Sequence, residues 1–248
     1  DVAQGADEDS DDASSSIVEP ETSLSSRDPI RMYLSQMGNI PLLSRSREIF
    51  LAKKIEITRK RFRRTVLESD FALQIAIDTL EKVFAGELPF ERTLRTSDTE
   101  DATKDQIMGR MPYNIATLKA LLQKNNEDFE LIQSGELGKV EQREVQKRMV
   151  VRRQKMATLC EELCLRTQRL QPVLKRIHQI AGRMREVQEQ LEDYKQLRHK
   201  ATDHRRLERE LSELTIMVVE TSEDFQTRSR EIKRRFDDWT EAKQQLSG

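Results

Sequence analysis

Glycine and proline are scarce in this chain, eight and six among 248 residues. With so few of the residues that break regular structure, little sheet is expected, and long helices are favoured. No apolar run is long enough to cross a bilayer, and no basic segment followed by an apolar stretch opens the chain. Neither a membrane anchor nor a secretory leader is therefore expected, and the protein is placed in the cytoplasm. There are two cysteines, Cys160 and Cys164, four apart on one helical face but without a CxxC pair or a nearby histidine. They read as small buried hydrophobes in a reducing compartment, not as ligands or redox partners. The three histidines fall in one charged stretch, and His199 and His204, five apart, sit roughly 140° around a helix from each other. No metal site is expected. Glycine-rich phosphate loops, HExxH and nucleophile elbows are all missing. The many carboxylates stand beside Lys and Arg at helical spacing and read as ion pairs. An enzyme, a cofactor and a small-molecule substrate are all unexpected.

What the chain does have is charge, 35% of residues against 36% apolar, with a formal net charge of −1. The near balance conceals an acidic start and several basic helical faces. Residues 1–26 contain Asp7-Glu-Asp-Ser-Asp-Asp12 and Ser14-Ser-Ser16 without Lys or Arg, so this arm is predicted to be disordered. The chain opens on Asp1 instead of Met and ends at Gly248 where a helix is finishing, which reads as a piece of a longer product.

The organising stretch runs from Asp28 to Glu56. Asp28 suits an N-cap, Pro29 follows where its missing N–H costs nothing, and Met32, Tyr33, Leu34 and Met37 make an apolar stripe. Gly38 and Asn39-Ile-Pro41 end that helix. Ser44, four residues before Glu48, serves as a plain N-cap to a second helix carrying Ile49, Ala52, Lys53 and Glu56. This helix continues through Ile57, Phe62, Val66 and Leu67, with Arg59, Lys60, Arg61, Arg63 and Arg64 predicted on its exposed arc. Those five cations are candidates for contact with phosphate or with an acidic protein surface, and equally for a solvated face.

Further on, Phe71, Ile75, Leu80, Val83 and Phe84 define a helix ended at Gly86. Thr96-Ser-Asp98 is predicted to cap a short helix ending near Gly109, Pro112 to start another, and Asn125-Asn126 to interrupt it. A long helix is predicted from Lys139 to about Arg169, with a cationic flank of Arg143, Lys147, Arg148, Arg152, Arg153 and Lys155 that reads as a solvated face. Pro172 opens a heptad seam, Val173, Ile177, Ile180, Met184, Val187, Leu191 and Tyr194, which resumes at Leu207, Leu211, Leu214 and Val218. With a short connection at Gln171-Pro172, this seam is expected to fold back on residues 139–170. The predicted fold is all-α: a disordered acidic N-terminal arm (1–26), a short helix-turn-helix-like pair (27–67), and a bundle of long helices with a coiled-coil-like antiparallel hairpin (68–248).

The run DPIRMYLSQMG, followed by IPLLSR and AKKIE, resembles region 1.2 of the primary sigma factors of bacterial RNA polymerase, the sigma-70 family. The resemblance spans nearly thirty residues, and the rest is similar in kind to the variable helical insert that precedes region 2 in that family. It implies a non-catalytic transcription initiation subunit whose partners are core polymerase and the non-template strand of promoter DNA. Carried over by position, Arg31, Tyr33 and Leu34 would face the discriminator bases, Tyr33 by stacking, with Arg45 close by. Leu34 stands where many members have Met, Ser35 where many have Arg, and Ser46-Arg47 where Glu-Gly is common, so discriminator preference is expected to differ. The competing reading is a coiled-coil adaptor acting through protein contacts along residues 139–246.

Overall fold

A computed structural model describes residues 30, 32, 33, 44–96, 103–196 and 201–247. The chain divides into two units, residues 1–47 and 48–248. The acidic arm, Arg31, Leu34 and the expected helix end at Gly38 to Pro41 lie outside the described residues. Ile30, Met32 and Tyr33 have helical backbone, as expected. Ser44 Oγ accepts the Arg47 backbone N–H at 3.4 Å, consistent with an N-cap for the helix that begins at Arg45.

The named elements are all α-helical, as the composition predicted. They are α1 (Arg45–Leu67), α2 (Asp70–Phe84), the single turn α3 (Phe90–Thr93), α4 (Lys104–Gln133), α5 (Lys139–Glu162), α6 (Thr167–Gln196), α7 (Ala201–Val218) and α8 (Ser222–Ser247). In α2, eight of 15 residues are buried. That is more than one face of a helix can supply, so α2 is the central strut, packed against α4, α5, α6 and α7. The C-terminal half of α1 buries Phe62, Val66 and Leu67. Phe62 meets Phe236 of α8 edge-on at 5.4 Å between ring centroids and stacks on Trp239 at 5.7 Å.

Several boundaries differ from expectation. The helix expected to start at Pro112 begins at Lys104, capped by Thr103: Gln106 N–H reaches Thr103 Oγ1 at 3.4 Å and Thr103 N–H reaches Gln106 Oε1 at 3.1 Å. This reciprocal capping box satisfies two donors and starts the helix one turn ahead of Gly109; α4 then runs unbroken through Pro112 and Asn125. Asn125 does not interrupt α4. It is buried, donates to Asp70 Oδ1 at 2.7 Å and accepts from Arg152 at 2.8 Å.

The long helix expected to reach Arg169 stops at Glu162. Cys164 adopts a left-handed φ of 55°, and Leu165 forms an isolated antiparallel bridge with Leu94. The bridge is closed by Arg95 N–H to Cys164 O at 2.8 Å and Arg166 N–H to Thr93 O at 2.9 Å. Pro172 consequently lies inside α6, and the seam does not take residues 139–170 as its main partner. Instead α5 pairs chiefly with α4, and α6 with α7 and α8. The two runs of the seam close on each other: Val187 and Leu191 cluster with Leu207 and Leu211, while Arg183 Nε meets Glu210 at 2.6 Å. Those pairings make α6 and α7 the antiparallel hairpin.

Candidate nucleic-acid interface

In the first unit Tyr33 is 59% exposed, and Met32, expected to pack, is 56% exposed. A phenol ring so placed has an apolar face open to a stacking partner. Arg45, at the first position of α1, is also exposed. Arg31 and Leu34 lie outside the described residues.

In the second unit the five cations of α1 do not share one fate. Arg59 is half-buried and donates to Glu56 Oε1 at 2.7 Å, and the Lys60 ammonium lies 3.8 Å from the same oxygen. Burial pushes the Glu56 carboxyl up, but the bond from Arg59 and the charges of Arg59, Lys60 and Arg95 together hold it below the usual range. Arg64 pairs with Glu68 at 2.9 Å. Arg61 is exposed and makes no ion pair among the described residues. Lys60, Arg61 and Arg64 fall within roughly 100° of one another around the helix and form the solvent-facing basic arc.

Arg63 is the correction to that arc. It is only 6% exposed, and its Nε bonds both Glu161 oxygens at 2.9 and 3.0 Å. Another nitrogen bonds Thr167 Oγ1 at 3.1 Å and the Leu165 carbonyl. Its guanidinium ties α1 to the α5–α6 junction, where the fork satisfies carbonyl and carboxylate together.

The α5 flank divides: Arg143, Lys147, Arg148 and Lys155 are exposed, as expected of a solvated face, whereas Arg152 is half-buried and Arg153 is drawn into the fold. Arg153 is buried with Asp70 at 2.5 Å and Glu220 at 3.4 Å. Arg152 bonds Asp128 and Asn125, Arg148 lies 3.6 Å from Asp128, and Lys147 pairs with Glu144 at 2.9 Å. Cys160 is fully buried, which pushes its thiol up to about 12, and the half-buried Cys164 thiol is raised for the same reason. Among the described residues there is no group of three or more His, Cys, Asp or Glu placed to hold a metal ion, and no helix is long and apolar enough to cross a membrane.

Residues 28–60 match the family described as Sigma-70 factor, region 1.2. The chain is also 34% identical over 61 residues to the RNA polymerase sigma factor RpoD of Neisseria gonorrhoeae, a stretch covering 25% of this chain and 10% of that protein. The family match therefore takes in Tyr33, Arg45, Arg59 and Lys60 in one segment.

Proposed function

We propose that this chain is the N-terminal portion of a primary sigma factor, a transcription initiation subunit that confers promoter recognition on bacterial RNA polymerase. The observation that carries this reading is the region 1.2 match over residues 28–60, in which Tyr33 and Arg45 are exposed. In this reading Arg31, Tyr33, Leu34 and Arg45 contact the non-template strand of the discriminator. Tyr33 stacks on an unpaired base and the cations meet phosphate or base edges. Lys60, Arg61 and Arg64 contribute phosphate or polymerase contacts from the solvent-facing arc of α1, with Arg59 beside them. Arg63 holds α1 in place. The adaptor reading loses support because the heptad positions it needs, Val187, Leu191 and Leu207, are buried within the chain.

The test is the lifetime of a promoter complex formed with core polymerase on fork-junction DNA. Losing one stacked base should cost about 1–3 kcal/mol, so Tyr33→Ala should shorten the lifetime roughly 5- to 150-fold. Binding should also weaken steeply with salt. A folded Tyr33→Ala protein with an unchanged lifetime removes Tyr33 from the interface.

A further inference from the structure

The helical body carries a second basic feature that does not depend on the promoter reading. A cleft of about 600 Å³ lies among α1, the strand-like segments around Leu94 and Leu165, and α8. Its walls hold six basic side chains against two carboxylates, Glu56 and Glu161. Glu161 is engaged by Arg63 and Glu56 by Arg59, so the walls keep a surplus of positive charge. Gathering like charges in a concavity is unfavourable unless an anion completes it, and the concave wall focuses their field on whatever enters.

The Leu94–Leu165 bridge brings Arg95 and Arg166 to this one place, although they are far apart in sequence. Arg166 is fixed by its Nε, which donates to the carbonyls of Glu91 at 2.8 Å and Leu94 at 3.0 Å; its terminal amino groups make no hydrogen bond among the described residues. Arg95 is exposed, and its guanidinium has no hydrogen-bond partner among the described residues either. The Lys243 ammonium sits 4.0 Å from the centroid of the Trp239 ring. Two nitrogens of residues lining the same cleft, Arg59 Nε and Trp239 Nε1, are buried without a hydrogen-bond partner among the described residues.

Guanidinium forks match phosphate oxygens in pairs, and the cavity is of a size that holds a small ligand. We propose that this cleft is a phosphate-binding site, with Arg95 and Arg166 as its guanidinium ligands and Lys243 as a further source of positive charge. The phosphate belongs to a free phosphorylated ligand or to a nucleic-acid backbone, two sources that share this chemistry.

Trp239 is the one tryptophan of the chain, so its emission reports on the cleft wall directly. The chain is titrated at constant ionic strength with sodium pyrophosphate and, separately, with a single-stranded DNA oligonucleotide. A saturable change in emission is expected with at least one probe. Arg95→Ala should weaken that binding about tenfold, while Arg143→Ala, which removes an exposed cation from α5, should leave it unchanged. Saturation by pyrophosphate without the oligonucleotide identifies a free phosphorylated ligand, and the reverse identifies backbone phosphate. Saturation by both supports the shared site. No saturable change with either probe, an affinity indifferent to Arg95→Ala, or equal weakening by the two variants overturns it.

Discussion

Replacing Arg153 by Met tests what joins the halves of the helical body. Arg153 lies in α5 and is 8% exposed. Its Nε reaches Asp70 at the first position of α2 at 2.5 Å, and a terminal nitrogen donates to Val219 O in the α7–α8 turn at 2.9 Å. Another lies 3.4 Å from Glu220. The Asp70 and Glu220 side chains are 0% and 2% exposed. Methionine fills most of the arginine stem, so little of the loss comes from a cavity. What remains is a buried Asp70 carboxylate whose remaining side-chain donor among the described residues is Asn125, together with an unsatisfied carbonyl. Removing one partner of a buried ion pair costs about 3–5 kcal/mol. The lower part of that range applies, because Glu220 keeps Arg228 at 2.7 and 2.9 Å. Urea unfolding followed by far-UV circular dichroism should show the fall in midpoint with an unchanged slope. Adding Asp70→Asn to the Arg153→Met chain should recover part of the loss, with a coupling of about 1–3 kcal/mol. A loss below about 1 kcal/mol, or single effects that simply add, would refute the claim that this network holds α2, α5 and the α7–α8 turn together.

Cys160, buried with a thiol raised to about 12, should resist alkylation in the folded chain at neutral pH, while the half-buried Cys164 reacts slowly; mass spectrometry should find one label natively and two after denaturation. Burial pushes the Glu220 carboxyl above its ordinary 4.5, with Arg228 and Arg153 offsetting this only in part. A carboxyl raised on folding binds its proton more tightly in the native state, so its contribution is full below the unfolded value and is lost as pH rises through the folded one. The stability advantage of the native chain over Glu220→Gln should therefore shrink as pH climbs from about 4.5 upward, and a difference in urea midpoint that stays flat contradicts the assignment.

The helices were legible because their signal is local. Val173, Ile177, Met184, Val187 and Leu191 recur at seam spacing and all are buried. The α4 start was also there to be read, since Thr103 and Gln106 have the spacing of a capping box. The break after α5 was not, because nothing near Cys164 in sequence announces a left-handed residue. What stabilises it is a bridge to Leu94, some seventy residues earlier in the chain. Pro172 was misleading for a related reason. A proline inside a helix costs roughly 3 kcal/mol in isolation, yet Leu170, Val173 and Leu174 around it are buried, and that burial offsets the lost bond. Arg63 looked like its neighbours because arginine is normally a surface residue; its partner Glu161 is 98 positions away, and no local pattern predicts that.

The same distinction bears on what the family match means. Within residues 28–60, Leu51 is the one buried side chain among those described. Burial in α1 begins in earnest at Phe62, beyond the matched segment. Tyr33, Ile49, Phe50 and Ile57, all within residues 28–60, are 59%, 43%, 57% and 51% exposed, so burial in the core does not account for them. The fold of residues 48–248 is held by interactions such as Arg153–Asp70 and Phe62–Trp239, which lie outside residues 28–60. With its ring 59% exposed, Tyr33→Ala is a test of function that should leave stability unchanged.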